Sequence, residues 1–225
     1  MSVSTQQEFQ TQERRSRGVL AAGTAAEGIA GIGAIVLAII GLANTLPNYM
    51  LPIATIAVGA ALLFEGGAVT ARYTNLLTSA RGRVDMREFG IGMTTELLGG
   101  GGGLVLGILA LIGIFPLVLV PVAAIVFGAS LILGTGVTSH LNSLWTSATE
   151  EREMVREVTK EAIAAAAGVQ FLVGLGAITL GILALIGINP MALSLVAMLS
   201  LGFSDLLSGT AIMSRIMGIS KRHSV

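Results

Sequence analysis

An apolar stretch of eleven residues occurs twice in this sequence and differs at one position. Residues 106–116 read Leu-Gly-Ile-Leu-Ala-Leu-Ile-Gly-Ile-Phe-Pro, and residues 180–190 repeat them with Asn189 in place of the phenylalanine. A more divergent third copy, residues 37–47, also ends in proline. Each copy ends one long apolar segment, makes a tight proline-containing turn and begins the next segment. The stretch therefore predicts three hairpins, each made of two apolar helices.

The apolar segments around these turns are long enough to cross a membrane. Each has about the 20 residues that span the hydrocarbon of a bilayer. The segments are residues 20–44, 51–71, 93–114, 117–139, 163–187 and 191–212. Charged residues make up only 12% of the 225-residue chain and hydrophobic residues 53%, whereas a soluble domain has roughly 25% charged residues. We therefore predict an all-α polytopic membrane protein with six transmembrane helices and the lipid bilayer as its solvent.

Alignment on the turn prolines Pro47, Pro116 and Pro190 indicates three repeats of two helices. The repeats cover about 20–72, 93–140 and 163–214. Twenty positions before the prolines stand two acids and an amide, namely Glu27, Glu96 and Gln170. Glycines recur fourteen positions before the prolines and twelve after them: Gly33, Gly102, Gly176, Gly59, Gly128 and Gly202. Because each repeat crosses the membrane twice, all three should have the same orientation around a pseudo-threefold axis along the membrane normal.

The positive charges predict the orientation of the chain. All 13 Lys and Arg residues lie outside the six apolar segments, in the two tails, in the two connections between hairpins and next to them. With six spans these regions all face one side, which the positive-inside rule makes the cytoplasm of a cell (inner) membrane. We expect a polar cytoplasmic tail, a six-helix membrane domain and a basic cytoplasmic tail: 1–19, 20–214 and 215–225.

Small residues at helical spacing predict helix-packing faces. Gly99, Gly103 and Gly107 recur at every fourth position of the third segment, and Ser200, Ser204 and Ser208 do so in the last. Such faces allow helices to approach closely in lipid. Because each glycine weakens a helix by about 1 kcal/mol, the glycine run 99–103 is compatible with either a break or a tight crossing.

Acidic residues inside the apolar segments are the strongest candidates for a functional site. Glu65 and Asp205 stand well after their turn prolines, Pro47 and Pro190, by eighteen and fifteen positions. At that depth they should face protein or water. They predict a protonatable pair or a proton-linked gate, or else neutral acids hydrogen-bonded to serines such as Ser204 and Ser208. Glu27, Glu96 and Gln170 predict a polar ring at the cytoplasmic mouth of a central cavity, or else partly wet residues at helix starts.

Other chemistry finds no support in the sequence. There is no cysteine, and the two histidines stand at unlike positions, so no thiolate, haem or metal site is predicted. No phosphate-binding loop or hydrolase motif occurs. We therefore expect no cofactor, no nucleic-acid partner and no enzymatic activity.

The turn pattern is similar to that of the HdeD-like family of small multi-span bacterial membrane proteins. The residues that carry the resemblance are the stretch from Gly107 to Pro116 with Gly128, and the stretch from Gly181 to Pro190 with Gly202. The resemblance extends over 20–215 and implies a stress-related membrane protein linked to acid resistance. It transfers no catalytic residue.

Two functions remain open from the sequence. The first is a structural or accessory membrane protein that packs as a homo-oligomer, or as a subunit of a larger membrane assembly, through its small-residue faces. The second is a small channel or proton-linked transporter that uses Glu65 and Asp205. The scarcity of polar groups within the apolar segments favours the first. A continuous polar path from the level of Glu27 to the outer turns would favour the second.

Overall fold

The structure, a computed structural model, describes residues 23, 25–79, 86–146 and 153–220, with side chains placed in 25–67, 95–134 and 168–208. The predicted N-terminal tail and the charged side chains of the connections lie outside these ranges. The described residues form six α-helices and no strand. They are α1 (Ala25–Leu42), α2 (Pro47–Ser79), α3 (Met86–Leu111), α4 (Pro116–Thr146), α5 (Glu153–Leu185) and α6 (Pro190–Ser220).

The helices are those of a polytopic membrane protein, as the composition predicts. Five of the described helices (α1, α2, α4, α5 and α6) are long and apolar enough to span a membrane, and α3 has a shorter apolar stretch, Thr95–Leu111. Large apolar side chains such as Ile29, Leu98 and Leu172 are exposed on the outside of the bundle. In a bilayer such side chains face lipid, so their exposure fits this class of protein.

Each turn proline begins a helix instead of lying inside the turn, which corrects the predicted segment boundaries. α2, α4 and α6 start at Pro47, Pro116 and Pro190, and α2 thus starts before the predicted boundary at residue 51. Proline suits the first helical position, because its missing N–H has no partner there and its φ is already helical.

The helix that precedes each turn ends in a Schellman motif. The amide of Gly113 donates to the carbonyl of Ala110, and the amide of Ile114 donates to the carbonyl of Leu109, both at 3.0 Å. The same pair of bonds occurs in the other two turns, around Asn44 and Gly187. All three central residues have positive φ, 60° at Asn44 and 91° at each glycine, as this motif requires. The recurring stretch is therefore a helix-ending signal followed by a helix-starting proline.

The residue before each proline also has a positive φ, which is unfavourable for most side chains. The angle is 47° at Leu46, 38° at Phe115 and 39° at Asn189. A residue with a β-carbon loses about 1–2 kcal/mol in this region, and asparagine tolerates it best. We expect Phe115→Asn to raise the free energy of unfolding by about 1 kcal/mol, measured by SDS titration in mixed micelles.

Ile112 provides the matched control for this substitution. It lies in the same turn and is 67% exposed, and its φ is not positive. Ile112→Asn removes a comparable apolar side chain without relieving the backbone, so it should not stabilise the protein. Equal effects of the two substitutions would contradict the backbone explanation.

Close contacts between glycines join successive hairpins. A β-carbon placed on Gly100 of α3 would lie 3.0 Å from the carbonyl oxygen of Gly59 in α2. The equivalent distance is 2.7 Å from Gly174 of α5 to Gly128 of α4, and 2.8 Å from Gly31 of α1 to Gly202 of α6. In all three pairs the two glycines have the same offsets from their turn prolines, sixteen positions before for one and twelve positions after for the other. The last helix therefore packs against the first as α2 packs against α3 and α4 against α5.

The second helices of the hairpins form the inside of the bundle. α2, α4 and α6 contact one another. In their apolar spans 50%, 50% and 44% of the residues are buried, against 28% in α1 and 22% in α5. Val58, Phe127 and Leu201, each eleven positions after its proline, are fully buried. The core is therefore apolar at the middle of these helices.

The glycine run 99–103 stays helical within α3. A β-carbon on Gly99 would overlap Ser130 and one on Gly103 would overlap Phe127, so these two glycines face α4. A β-carbon on Gly107 would lie 2.9 Å from Ile56 of α2. The run thus permits close crossings with both neighbouring helices and does not break the helix.

Candidate functional site

Four carboxyl groups come together near the end of the bundle that lies away from the hairpin turns. They belong to Glu27 of α1, Glu65 of α2, Glu96 of α3 and Asp205 of α6. A β-carbon on Gly66, the residue after Glu65, would lie 3.3 Å from the β-carbon of Glu96, and one on Gly31, one turn after Glu27, would lie 3.2 Å from that of Asp205. Ser208, one turn after Asp205, donates to Glu65. We call these four side chains the acidic cluster.

The glycine crossings bring the outer helices to this site. Glu27 lies one helical turn before Gly31, and Glu96 lies one turn before Gly100, so each acid shares a helix face with its glycine. Gln170 has the same relation to Gly174. A β-carbon on Gly31 would lie 3.2 Å from the β-carbon of Asp205. The faces that approach the inner helices most closely therefore also carry the polar residues.

Glu65 is the centre of the hydrogen bonding at the site. The Ser208 hydroxyl of α6 donates to its Oε1 atom at 3.1 Å. The Gln170 amide of α5 donates to the same oxygen at 3.4 Å. The Oε2 atom of Glu65 is buried and has no hydrogen-bond partner. One oxygen of this carboxyl is thus held by two donors, and the other is unpartnered.

Helix α4 has a glycine at the site, and the missing side chain leaves room for the carboxyl group of Glu96. Gly134 lies eighteen positions after Pro116, as Glu65 does after Pro47 and Ser208 after Pro190. The Oε1 atom of Glu96 lies where a β-carbon on Gly134 would be. The glycine therefore lets an acid from α3 reach the level of the other polar groups.

The carboxyl groups are buried without a described counter-charge. Glu27 and Asp205 are each 1% exposed, and none of their four carboxyl oxygens has a hydrogen-bond partner. The buried Ser204 hydroxyl is likewise unpartnered. No Lys, Arg or His occurs in the ranges whose side chains are described. Because an unpaired buried carboxylate is destabilising by several kcal/mol or more, the site should bind protons or another cation.

The geometry of the site favours protons over a metal ion. Among the described residues no group of three Asp, Glu, His or Cys side chains is placed to hold a metal. A hard divalent cation needs about six oxygen ligands, whereas a proton needs one or two oxygens. The unpartnered carboxyl oxygens meet the second requirement.

The described core is closed on the side of the hairpin turns. The buried side chains between the acidic cluster and the turns are mainly apolar, with Thr55, Ser130 and Ser194 as exceptions. The Thr55 hydroxyl donates to the carbonyl of Leu51 in its own helix at 2.9 Å. The described residues therefore do not form the continuous polar path that an open channel would need.

The site combines residues that the sequence analysis placed in two separate groups. The residues of the predicted ring, Glu27, Glu96 and Gln170, lie at the same site as the predicted pair, Glu65 and Asp205. Ser208, predicted only as a packing residue or a neighbour of Asp205, donates to Glu65. Ser200 donates to the carbonyl of Val196 at 2.6 Å. The sequence signal for Ser208 and Gly134 was the offset from the turn prolines that they share with Glu65.

Comparison of the chain with protein-family models, curated proteins and solved structures gave no match.

Proposed function

We propose that the protein translocates protons across a membrane as a small proton-linked transporter, with the acidic cluster as its proton-binding site. The observation that carries the proposal is the burial of Glu27, Glu96 and Asp205 beside the half-buried Glu65, whose Oε2 atom is buried, without a described basic partner. Intramembrane acids are rare, and proton relays are a principal use of them. Protons are the proposed cargo because the described core has no second cluster of buried polar side chains that could hold a solute.

The proposed architecture is three two-helix repeats in parallel orientation around a pseudo-threefold axis. The recurrence of the glycine contact at three equivalent places supports it. The distribution of Lys and Arg supports cytoplasmic termini in a cell inner membrane, with the acidic cluster near the cytoplasmic side. The layer of buried apolar side chains that includes Phe127 would then lie between the acidic cluster and the outer side of the membrane. Release of protons to the outer side would therefore require α2, α4 and α6 to move apart.

We also propose that the protein has a role in the response to stress. This role is supported by the resemblance of the turns to those of the HdeD-like family, which is linked to acid resistance. Proton movement through a site of buried carboxyl groups is chemistry that an acid-stressed cell could use. No enzymatic activity is part of the proposal.

A structural or accessory role is the second candidate, and the outer surface of the bundle favours it. Among the described residues of the other helices, no atom lies within 4 Å of a β-carbon placed on Gly33, Gly102 or Gly176. Open glycines on three outer helices are suited to close approach by another helix. In this alternative the protein packs as a homo-oligomer or as a subunit of a larger membrane assembly.

Reconstitution into liposomes tests the two proposals. Purified protein is placed in vesicles that contain a pH-sensitive dye, and a valinomycin-clamped potassium gradient drives proton entry. We expect the internal pH to change faster than in protein-free vesicles at the same potential. Entry at the protein-free rate for both directions of the gradient would contradict proton translocation. Co-purification of a partner in mild detergent, together with that result, would support the accessory role.

A further inference from the structure

We infer that the Ser208 hydroxyl relays protons between Glu27 and Glu65, and that Gln170 holds the accepting oxygen of Glu65 in place. This inference rests on the proposed proton translocation and assigns an order to the groups of the acidic cluster. It gives a chemical role to a serine whose spacing predicts helix packing.

The position of Ser208 is suited to a relay. Its hydroxyl donates to Oε1 of Glu65 at 3.1 Å. A β-carbon on Gly31 would lie 2.9 Å from the amide nitrogen of Leu206, and because α1 and α6 run antiparallel, Glu27, one turn before Gly31, lies at the level of Ser208. Glu27 is 1% exposed, and neither of its oxygens makes a hydrogen bond of good geometry. The serine is therefore the polar group that stands between a fixed carboxyl and an unpartnered one.

A serine hydroxyl has one donor and two acceptor lone pairs. Because its hydrogen points to Glu65, its lone pairs are available to a proton on Glu27. In the transfer, the O–H bond of the Glu27 carboxylic acid breaks as a new O–H bond forms on Ser208 Oγ. The original Ser208 proton moves to Oε1 of Glu65. Glu27 becomes a carboxylate, Glu65 becomes a carboxylic acid, and the serine is regenerated with the net charge unchanged.

Gln170 acts as a positioning residue for this transfer. It stands where the other two hairpins have Glu27 and Glu96, but its amide cannot ionise. Its Nε2 donates to the same oxygen of Glu65 at 3.4 Å. This long bond keeps Oε1 turned toward Ser208 and is weak enough to yield when that oxygen receives the proton.

The polar and ionisable groups around Glu65 and Ser208 come from the neighbouring helices. They are Glu27 from α1, Glu96 from α3, Gln170 from α5 and Asp205 from α6. Within the described side chains all the ionisable members of this group are acids. Among the described side chains, a proton that leaves Glu65 through Ser208 therefore passes to another carboxyl group.

Substitutions at Ser208 in the full-length protein test the relay by the liposome proton-flux assay. We expect Ser208→Ala to lower the flux by about tenfold or more, because it removes the group that passes the proton. Ser208→Thr keeps a hydroxyl and should restore most of the flux. Ser200→Ala is the matched control, since Ser200 lies on the same helix and bonds only within it, and it should conduct like the wild type.

Infrared spectroscopy of the same vesicles provides a readout that does not depend on flux. Glu65→Gln identifies the carboxylic acid C=O band of Glu65. Ser208→Ala should shift this band to higher frequency by removing a donor, whereas Ser208→Thr should not. Normal flux in Ser208→Ala, or equal loss in Ser208→Ala and Ser208→Thr, would overturn the relay while leaving proton translocation standing. Absence of flux in the wild type would overturn both.

Discussion

Alanine at Gly31, Gly100 and Gly174 together should prevent stable folding, whereas alanine at Gly33, Gly102 and Gly176 should leave the fold intact. The two sets lie on the same three helices, and their members are only two positions apart. A β-carbon on Gly100 would lie 2.9 Å from the amide nitrogen of Leu63 and 3.0 Å from the carbonyl oxygen of Gly59. Both contacts are with backbone atoms, so the two helices would have to separate.

The expected loss in the free energy of unfolding follows from the overlap that each added β-carbon makes with the neighbouring helix. Overpacking at one buried contact is destabilising by about 1–3 kcal/mol. Because the three contacts join different pairs of helices, their effects should add to about 6 kcal/mol. That value is comparable with the whole free energy of unfolding of many proteins, about 5–15 kcal/mol. At the three open positions alanine is a better helix former than glycine and should be neutral or stabilising by up to about 1 kcal/mol each.

The measurement is SDS titration in mixed micelles, followed by circular dichroism, with size-exclusion chromatography as a check on dispersity. Each triple variant should be compared with its three single variants. Equal stability of the two triple variants would contradict the glycine crossings. Loss of folding from only one single variant would contradict the equivalence of the three contacts.

This pair of glycine sets also shows what the sequence could and could not predict. The alignment on the turn prolines predicts recurrent glycines, among them Gly33, Gly102 and Gly176. The structure leaves those three open and uses Gly31, Gly100 and Gly174 for the crossings. Recurrence of a glycine does not tell which neighbour it faces, because that depends on the direction in which two helices cross.

The sequence indicates how far the acids lie from the hairpin turns along their helices, but not which neighbouring helix each acid faces. With a rise of about 1.5 Å per residue, Glu65 lies about 27 Å and Glu27 about 30 Å from the turns, so both reach nearly the same level. Whether Glu65 faces lipid, α3 or α6 depends on the rotation of α2 about its axis. That rotation is set by packing at positions such as Gly59, and the spacing of polar residues alone does not determine it.

Glu65→Gln should abolish proton flux while the protein remains folded. Glu65 accepts hydrogen bonds from Ser208 of α6 and Gln170 of α5, so it is the carboxyl group that connects the helices of the site. Glutamine has nearly the same shape and keeps a carbonyl oxygen that can accept from Ser208 and Gln170. It cannot take up and release a proton near neutral pH. We expect the flux in liposomes to fall at least tenfold, in the range that a lost proton-transfer group produces.

The same substitution should raise stability, which separates a loss of function from a loss of folding. The substitution replaces a group that can carry an unpaired charge next to three other acids by a neutral one, and an unpaired buried charge is more destabilising than a neutral polar group. Asp205→Asn should behave similarly, since both oxygens of Asp205 are unpartnered. Glu157→Gln is the control, because Glu157 precedes the apolar part of α5, and it should leave the flux at the wild-type level. If Glu65→Gln and Asp205→Asn both conduct protons as the wild type does, the acidic cluster does not carry them and the transporter proposal is wrong.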